Sequence, residues 1–155
     1  MSASTAEIDY AAHLATLGQF AAEQPDLASF QDRVVDYLHE SVGHYTWVGF
    51  YMREGETLAL GAYRGSPTPH TRIPIDQGIC GAAVREGVTI VVDDVQNDPR
   101  YLACSLETQS EIVVPLFKQG IAVGELDLDS DQPAAFTDDD RSFLEAIAKM
   151  VEALL

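Results

Sequence analysis

The sequence predicts an α+β fold, with a mainly antiparallel sheet set between helical ends. Three observations lead there. Residues 6–42 and 137–155 repeat their apolar side chains at helical spacing. Between them, residues 45–130 carry short runs rich in β-branched and aromatic residues, broken by Gly and Pro. Two of the gaps, Glu54-Gly55-Glu56 and Lys118-Gln119-Gly120, have the length and the glycine of a hairpin turn. At 155 residues, 46% of them apolar, the chain is of a size for one well-filled core, so residues 1–155 are read as a single domain.

Residues 1–5 read as a frayed start, with Ser4 or Thr5 capping a helix from Ala6 to about Glu23. Ile8, Ala12, Leu14, Leu17, Phe20 and Ala21 form its apolar stripe, and Pro25 interrupts it. A second helix spans about Leu27 to Val42, with Phe30, Val34, Tyr37 and Leu38 inward and Gly43 as its stop. His39 and His44 fall near the surface at its end, where a cation suits the helix dipole. Tyr45–Met52 and Thr57–Tyr63 then read as paired strands. In the first, Trp47, Gly49 and Tyr51 share one face while Val48 and Phe50 share the other. Gly49 leaves a notch between two large rings, which is either core packing or the wall of a small-ligand pocket.

A proline-containing loop over 64–76 leads through a short strand at about Arg72–Ile75. Gly78 permits a tight turn into a short helix, Ile79–Glu86, that Gly87 ends. The start of that helix offers backbone N–H donors that could hold a carboxylate or favour the thiolate of Cys80. After a strand at Thr89–Val92, residues 93–108 are irregular, with one helical turn near Pro99–Ala103 and Cys104 in the loop. Ser110–Ser130 is the second hairpin, followed by a turn and a last helix with Phe143, Leu144, Ile147, Ala148, Val151 and Leu154 inward. Thr137-Asp138-Asp139-Asp140 caps it, which accounts for those acids and takes them out of any site.

Nine Lys and Arg face 25 Asp and Glu, a net charge of −16. Phosphate binding needs clustered cations, so neither nucleic acid nor an anionic membrane surface is an expected partner. No apolar run approaches the ~20 residues of a spanning helix and no signal-peptide core is present, which places the chain in the cytoplasm. In that reducing compartment two cysteines are buried thiols or a redox pair. They are too few for a structural zinc site, so no metal is expected.

The chemistry gathers on the second hairpin. Glu125, Asp127 and Asp129 stand at alternate positions and share a face, while Leu126 and Leu128 point the other way, into the core. Glu111, at the start of the partner strand, could approach them. Such a face is either a solvated exterior or the floor of a site beneath loops 64–76 and 93–108. Carboxylates so placed repel one another unless a cation or shared protons intervene. A thiol beside them has a raised pKa and makes a poor nucleophile alone, but a thiol with a protonated carboxyl suits reduction of an S–O bond.

WVGFY at 47–51, RIPIDQGICGAAV at 72–84, YLACS at 101–105, SEIVVPL at 110–116 and GELDLDS at 124–130 together resemble one group of GAF domains, the free methionine-(R)-sulfoxide reductases. The resemblance covers most of the chain from Ala6 to Leu155. It implies a six-stranded antiparallel sheet with helices packed on one face and loops covering the other. It implies reduction of free methionine sulfoxide by Cys104 as nucleophile, through a sulfenic acid and then a disulfide. By the same resemblance Glu111, Asp127 and Asp129 bind or protonate the substrate, and Trp47 and Tyr51 wall its S-methyl end. Backbone N–H groups at Ile79, Cys80 and Gly81 hold its carboxylate, and Cys80 matches a second family cysteine. A thioredoxin-like reductant and a homodimer are implied, and no cofactor. Glu125 stands where the family has an apolar residue and is left out of the site. One departure matters: the family's third cysteine, two residues before the arginine of RIP, is His70 here. Either Cys80 then resolves the sulfenic acid, or an external reductant does, or the chain is a silent GAF module that binds a small ligand and signals.

Overall fold

The computed structural model describes residues 7–103 and 106–155. Helices α1 (Tyr10–Ala22) and α2 (Leu27–Ser41) precede strands β1 (Trp47–Glu54), β2 (Thr57–Arg64) and β3 (Arg72–Pro74). Helix α3 (Gly78–Glu86), strand β4 (Ile90–Val92), the hairpin of β5 (Ser110–Lys118) and β6 (Ile121–Ser130), and helix α4 (Asp138–Glu152) complete it. The strands form one sheet in the order β3-β2-β1-β6-β5-β4, and every neighbouring pair is antiparallel. This order makes β1 and β6 the central pair. The aromatic strand and the acidic strand, far apart in sequence, therefore lie side by side.

Alternation divides the sheet into two faces. Val48, Phe50, Ile112, Val114, Leu126 and Leu128 point to the face that α1, α2 and α4 cover, where Phe30, Leu38, Phe143 and Ile147 complete the main core. Each such aliphatic or aromatic side chain contributes about 1.5–3 kcal/mol by leaving water. On the opposite face Trp47, Tyr51, Leu58 and Val113 pack against Ile79, Ala83 and Val84 of α3. That face is roofed by α3 and the long connections, as the α+β reading requires.

Local details follow side-chain chemistry. Gln119 and Gly120 both take positive φ, 54° and 79°, giving a two-residue turn whose twist matches the hairpin strands. Gly78 has φ 72° at the start of α3, and Gly87 closes that helix in the left-handed conformation. Ser4 and Thr5 lie outside the described residues, and the cap of α1 is Asp9, whose carboxylate accepts from Ala12 N. Helix α2 ends on Val42, which turns to extended backbone and so makes the stop before Gly43. The helical turn expected near Pro99–Ala103 lies earlier, at Val95–Asn97, because Asp94 accepts from Gln96 N and starts it there.

Two further expectations are corrected. β1 starts at Trp47, not Tyr45, because Tyr45 is drawn into the core to donate a 2.6 Å hydrogen bond to Asp140. His44 is not a free surface cation: its ring meets the same carboxylate at 3.1 Å. Asp140 completes a capping box with Thr137, yet it is also fully buried and accepts from Tyr10 as well. Burial opposes its charge, but the hydrogen bonds from His44, Tyr45 and Thr137 win and hold its carboxyl well below the usual range. The same anion, after burial itself, pushes the hydroxyls of Tyr10 and Tyr45 up.

Candidate active site

The floor is written by strand register. Trp47, Asp129 and Glu111 form one row across β1, β6 and β5; Gly49, Asp127 and Val113 form the next; Tyr51, Glu125 and Pro115 form the third. Glu111 thus pairs directly with Asp129. The four acids are not a solvated exterior: Glu111, Asp127 and Asp129 are each 5–6% exposed and Glu125 is wholly buried. Taking four charges out of water is unfavourable by several kcal/mol per ion, so protons must remain in the cluster.

The surroundings of each group raise its hold on a proton. The Cys80 thiol of α3 donates to Asp127 Oδ2 at 3.4 Å. Glu111 stands opposite Asp129 in register and brings a carboxyl oxygen within 4.8 Å of Asp127, and carboxyl groups this close repel unless they hold protons. Burial pushes the Asp127 carboxyl up, and burial together with the nearby Asp127 pushes Asp129 well up. Glu125 is likewise raised, by burial first and Asp127 second. Cys80 is driven well above an ordinary thiol by burial, then by Asp127, Glu125 and Glu111. The start of α3 therefore does not favour a thiolate at Cys80; loss of water and the surrounding acids outweigh the helix end. Among the described residues, Cys80, Glu111 and Asp127 bring sulfur and carboxyl oxygens within 4.8 Å of one another.

The aromatic residues do something other than frame a gap. A Cβ built on Gly49 would lie 2.4 Å from Trp47, so the indole fills the expected notch by folding back over its own strand. Trp47 stacks on Tyr63 at 5.7 Å and on Tyr51 at 6.3 Å, making a three-ring layer, and its indole N–H donates to Ser66 O. Two recesses flank this layer. One, of about 560 Å³ with its mouth, is bordered by Trp47, Asp129, Thr68 and Thr108. The other, of about 280 Å³ with its mouth, is bordered by Tyr51, His70, Ile79, Cys80, Leu102, Glu111 and Asp127. Trp47 and Tyr51 thus stand at different recesses.

Cys104 lies outside the described residues, but the chain leading to it is anchored at the second recess. Tyr51 donates from its hydroxyl to His70 O at 2.7 Å. The His70 ring in turn binds Ala103 O at 3.0 Å, and a carbonyl can only accept, so Nε2 carries the proton. At the start of α3, the Gly81 N–H already donates to Gln77 O at 3.1 Å. The donors left at that helix end are those of Gly78, Ile79 and Cys80. Of the residues the sequence singles out, Tyr51, Ile79, Cys80, Glu111 and Asp127 border the second recess, whereas Trp47 and Asp129 border the first. Sequence reasoning missed Tyr63, whose signal is its register opposite Gly49, and it set aside Glu125, which alternation alone puts on the same face.

Comparison with known proteins agrees with this architecture. The GAF domain model matches residues 26–155. The free methionine-R-sulfoxide reductase of Escherichia coli is 36% identical over 118 residues, which span 76% of this chain and 71% of that protein. Among solved structures, the free methionine-R-sulfoxide reductase of Neisseria meningitidis, in complex with its substrate, superposes with TM-score 0.90 at 35% identity, covering 97% of this chain and 92% of that one. The reduced form of fRMsr of Staphylococcus aureus gives TM-score 0.91 at 34% identity, with 97% of both chains covered. Fold, acid floor and sequence agree, and the chain belongs to the GAF-domain family of free methionine-R-sulfoxide reductases.

Proposed function

We propose that this chain reduces free methionine-(R)-sulfoxide to methionine, with Cys104 as nucleophile and a thioredoxin-type dithiol as final reductant. The observation that carries the reading is the buried floor of proton-holding acids, placed beneath the loop that runs through His70-bound Ala103 to Cys104. A sulfoxide oxygen is a weak leaving group until protonated, and a buried carboxyl that holds its proton more tightly than usual is suited to protonate it. Asp127, supported by Glu111, takes that role in the recess shared with Cys80. Asp129, in the neighbouring recess, receives the substrate ammonium, and the donors at Ile79 and Cys80 receive its carboxylate.

Cys104 attacks the sulfoxide sulfur to form a transient S–S adduct whose oxygen takes a proton from Asp127. The oxygen then passes from the methionine sulfur to the Cys104 sulfur as the S–S and old S–O bonds break. This releases methionine and leaves Cys104 as sulfenic acid, and the thiol's proton returns to Asp127. Cys80 then attacks the sulfenic sulfur, its proton passes to the departing hydroxyl through Asp127, and water and a disulfide result. Leu102, two residues before Cys104, borders the recess that contains Cys80.

The test is consumption of free methionine sulfoxide epimers with dithiothreitol as reductant, by wild type and Cys104→Ser. Loss of the R epimer alone, absent in the variant, supports the reading. Binding of the sulfoxide without any turnover would leave a ligand-holding GAF module instead.

A further inference from the structure

The second recess carries a donor set that proton transfer alone does not require. Cys80 Sγ, a Glu111 carboxyl oxygen and an Asp127 carboxyl oxygen lie within 4.8 Å of one another, and all three residues are buried. They come from α3, β5 and β6, so they converge on a point instead of lining up along one strand. Tetrahedral zinc, with Zn–S of about 2.3 Å and Zn–O of about 2.0–2.2 Å, sets its sulfur and oxygen ligands ~3.5 Å apart. Cys80 Sγ and Asp127 Oδ2, at 3.4 Å, already have that spacing. Glu111 has to close by at most ~1.3 Å, the reach of a side-chain torsion. A second observation points to a ligand independently. Asp127 is 5% exposed and borders the recess, yet its Oδ1 is buried with no hydrogen-bond partner among the described residues. A buried carboxyl oxygen so placed is unfavourable unless something positive meets it. Inside its mouth the recess holds a free volume of about 20 Å³, room for one water-sized body. His70 borders the same recess, but its Nε2 is engaged by Ala103 O.

We propose that Cys80, Glu111 and Asp127 bind one zinc-class divalent cation, and that this ion blocks reduction of the sulfoxide. Two cysteines are too few for a closed structural zinc site, but a site of three protein ligands with its fourth position left to water needs only one. A thiolate beside two carboxylates suits borderline zinc over magnesium or calcium, which take oxygen ligands. The net charge of −16 draws cations to the chain. Protons held by the three groups pass to solvent as the ion binds, and no bond changes its oxidation state. While the ion is in place, Asp127 has no proton to give and the recess has no room for the sulfoxide oxygen. The ion is thus a reversible brake, released by a chelator. Its binding is independent of the reductase reading above; its effect as a brake rests on that reading.

The experiment titrates pre-reduced, metal-free protein with zinc chloride by calorimetry, and with cobalt(II), whose thiolate charge-transfer absorption reports a sulfur ligand. Wild type is expected to take one ion per chain. Cys80→Ser loses the charge-transfer band, and Cys80→Ser, Glu111→Gln and Asp127→Asn each bind at least about tenfold more weakly. Asp129→Asn and Cys104→Ser leave all three ligands in place and keep the stoichiometry and affinity of wild type. Wild type that takes up no ion, or binds magnesium as tightly as zinc, overturns the proposal without recourse to any variant. A band kept in Cys80→Ser or lost in Cys104→Ser overturns the ligand set. Unchanged affinity in both Glu111→Gln and Asp127→Asn also overturns it, leaving an adventitious ion only. Methionine release in one turnover, with no added thiol to compete for zinc, reads the brake: zinc saturation abolishes it and a chelator restores it. Release unaffected by bound zinc overturns the brake. Absence of methionine from metal-free wild type that binds zinc as described would instead overturn the reductase reading, so the two failures are distinct.

Discussion

Asp127→Asn isolates proton donation from structure. Asp127 is 5% exposed, so water has little access to replace its proton, but the Glu111 carboxyl lies within 4.8 Å of it and can substitute in part. Loss of a general acid lowers rates by about 10²–10⁴-fold, and the partial substitute places this variant near the middle, ~10³-fold. At 1.36 kcal/mol per tenfold, that is about 4 kcal/mol of transition-state stabilisation. Asparagine removes a buried carboxyl whose ionisation folding opposes and leaves an oxygen to accept from Cys80, so the variant is expected to be at least as stable as wild type near neutral pH. The pH dependence adds a second sign. A carboxyl raised by folding stabilises fully below its unfolded pKa, and that contribution is lost as pH rises through the folded value. Asp127→Asn removes the group, so its stability declines less than wild type's as pH rises from the unfolded carboxyl value through the folded one. Single-turnover methionine release and thermal unfolding across pH measure both effects. A rate within about tenfold of wild type, in a folded variant, would refute proton donation by Asp127.

Other outcomes are equally specific. Asp129→Asn keeps the fold but weakens capture of the substrate ammonium, so KM for free methionine sulfoxide rises more than kcat falls. Cys80→Ser prevents disulfide closure, and turnover with a thioredoxin-type dithiol falls more than turnover with dithiothreitol; equal losses would remove the resolving role. Asp140→Asn breaks the buried contacts from Tyr45, Tyr10 and His44 and lowers stability at neutral pH by about 3 kcal/mol, read by chemical denaturation. Because folding lowers that carboxyl, its contribution exists above the unfolded pKa and disappears as pH falls through the folded one. The variant therefore loses most of the acid-unfolding limb, and retention of that limb would assign it to other groups.

Much of this molecule was legible in the chain because alternation is a geometric law. Leu126 and Leu128 had to face opposite to Asp127 and Asp129, and they do. The two hairpins announced themselves by glycine, but the pairing of Glu111 with Asp129 also needs the register shift between Leu116 and Phe117, which the turn alone does not give. What stayed hidden depended on contacts between distant segments. That β1 lies beside β6 is a long-range choice that no local pattern encodes, and it is what carries Trp47 and Tyr51 to the acids. Asp140 looked like a helix cap, which it is; its four-sided burial arises only when Tyr10 and His44 arrive from the other end of the chain. Gly49 promised an opening because a sequence does not show that a neighbouring indole can fold back into it.

The central claim is that a loop thiol takes oxygen from sulfur above a floor that keeps its protons. The most direct measurement is peptide mass mapping of the pre-reduced chain after one exposure to free methionine-(R)-sulfoxide without reductant, with methionine quantified in the same sample. One methionine per chain and a Cys80–Cys104 disulfide are expected, with neither formed in Cys104→Ser. Methionine released from Cys104→Ser, or a wild-type chain returned with both thiols intact and no methionine formed, would contradict the account.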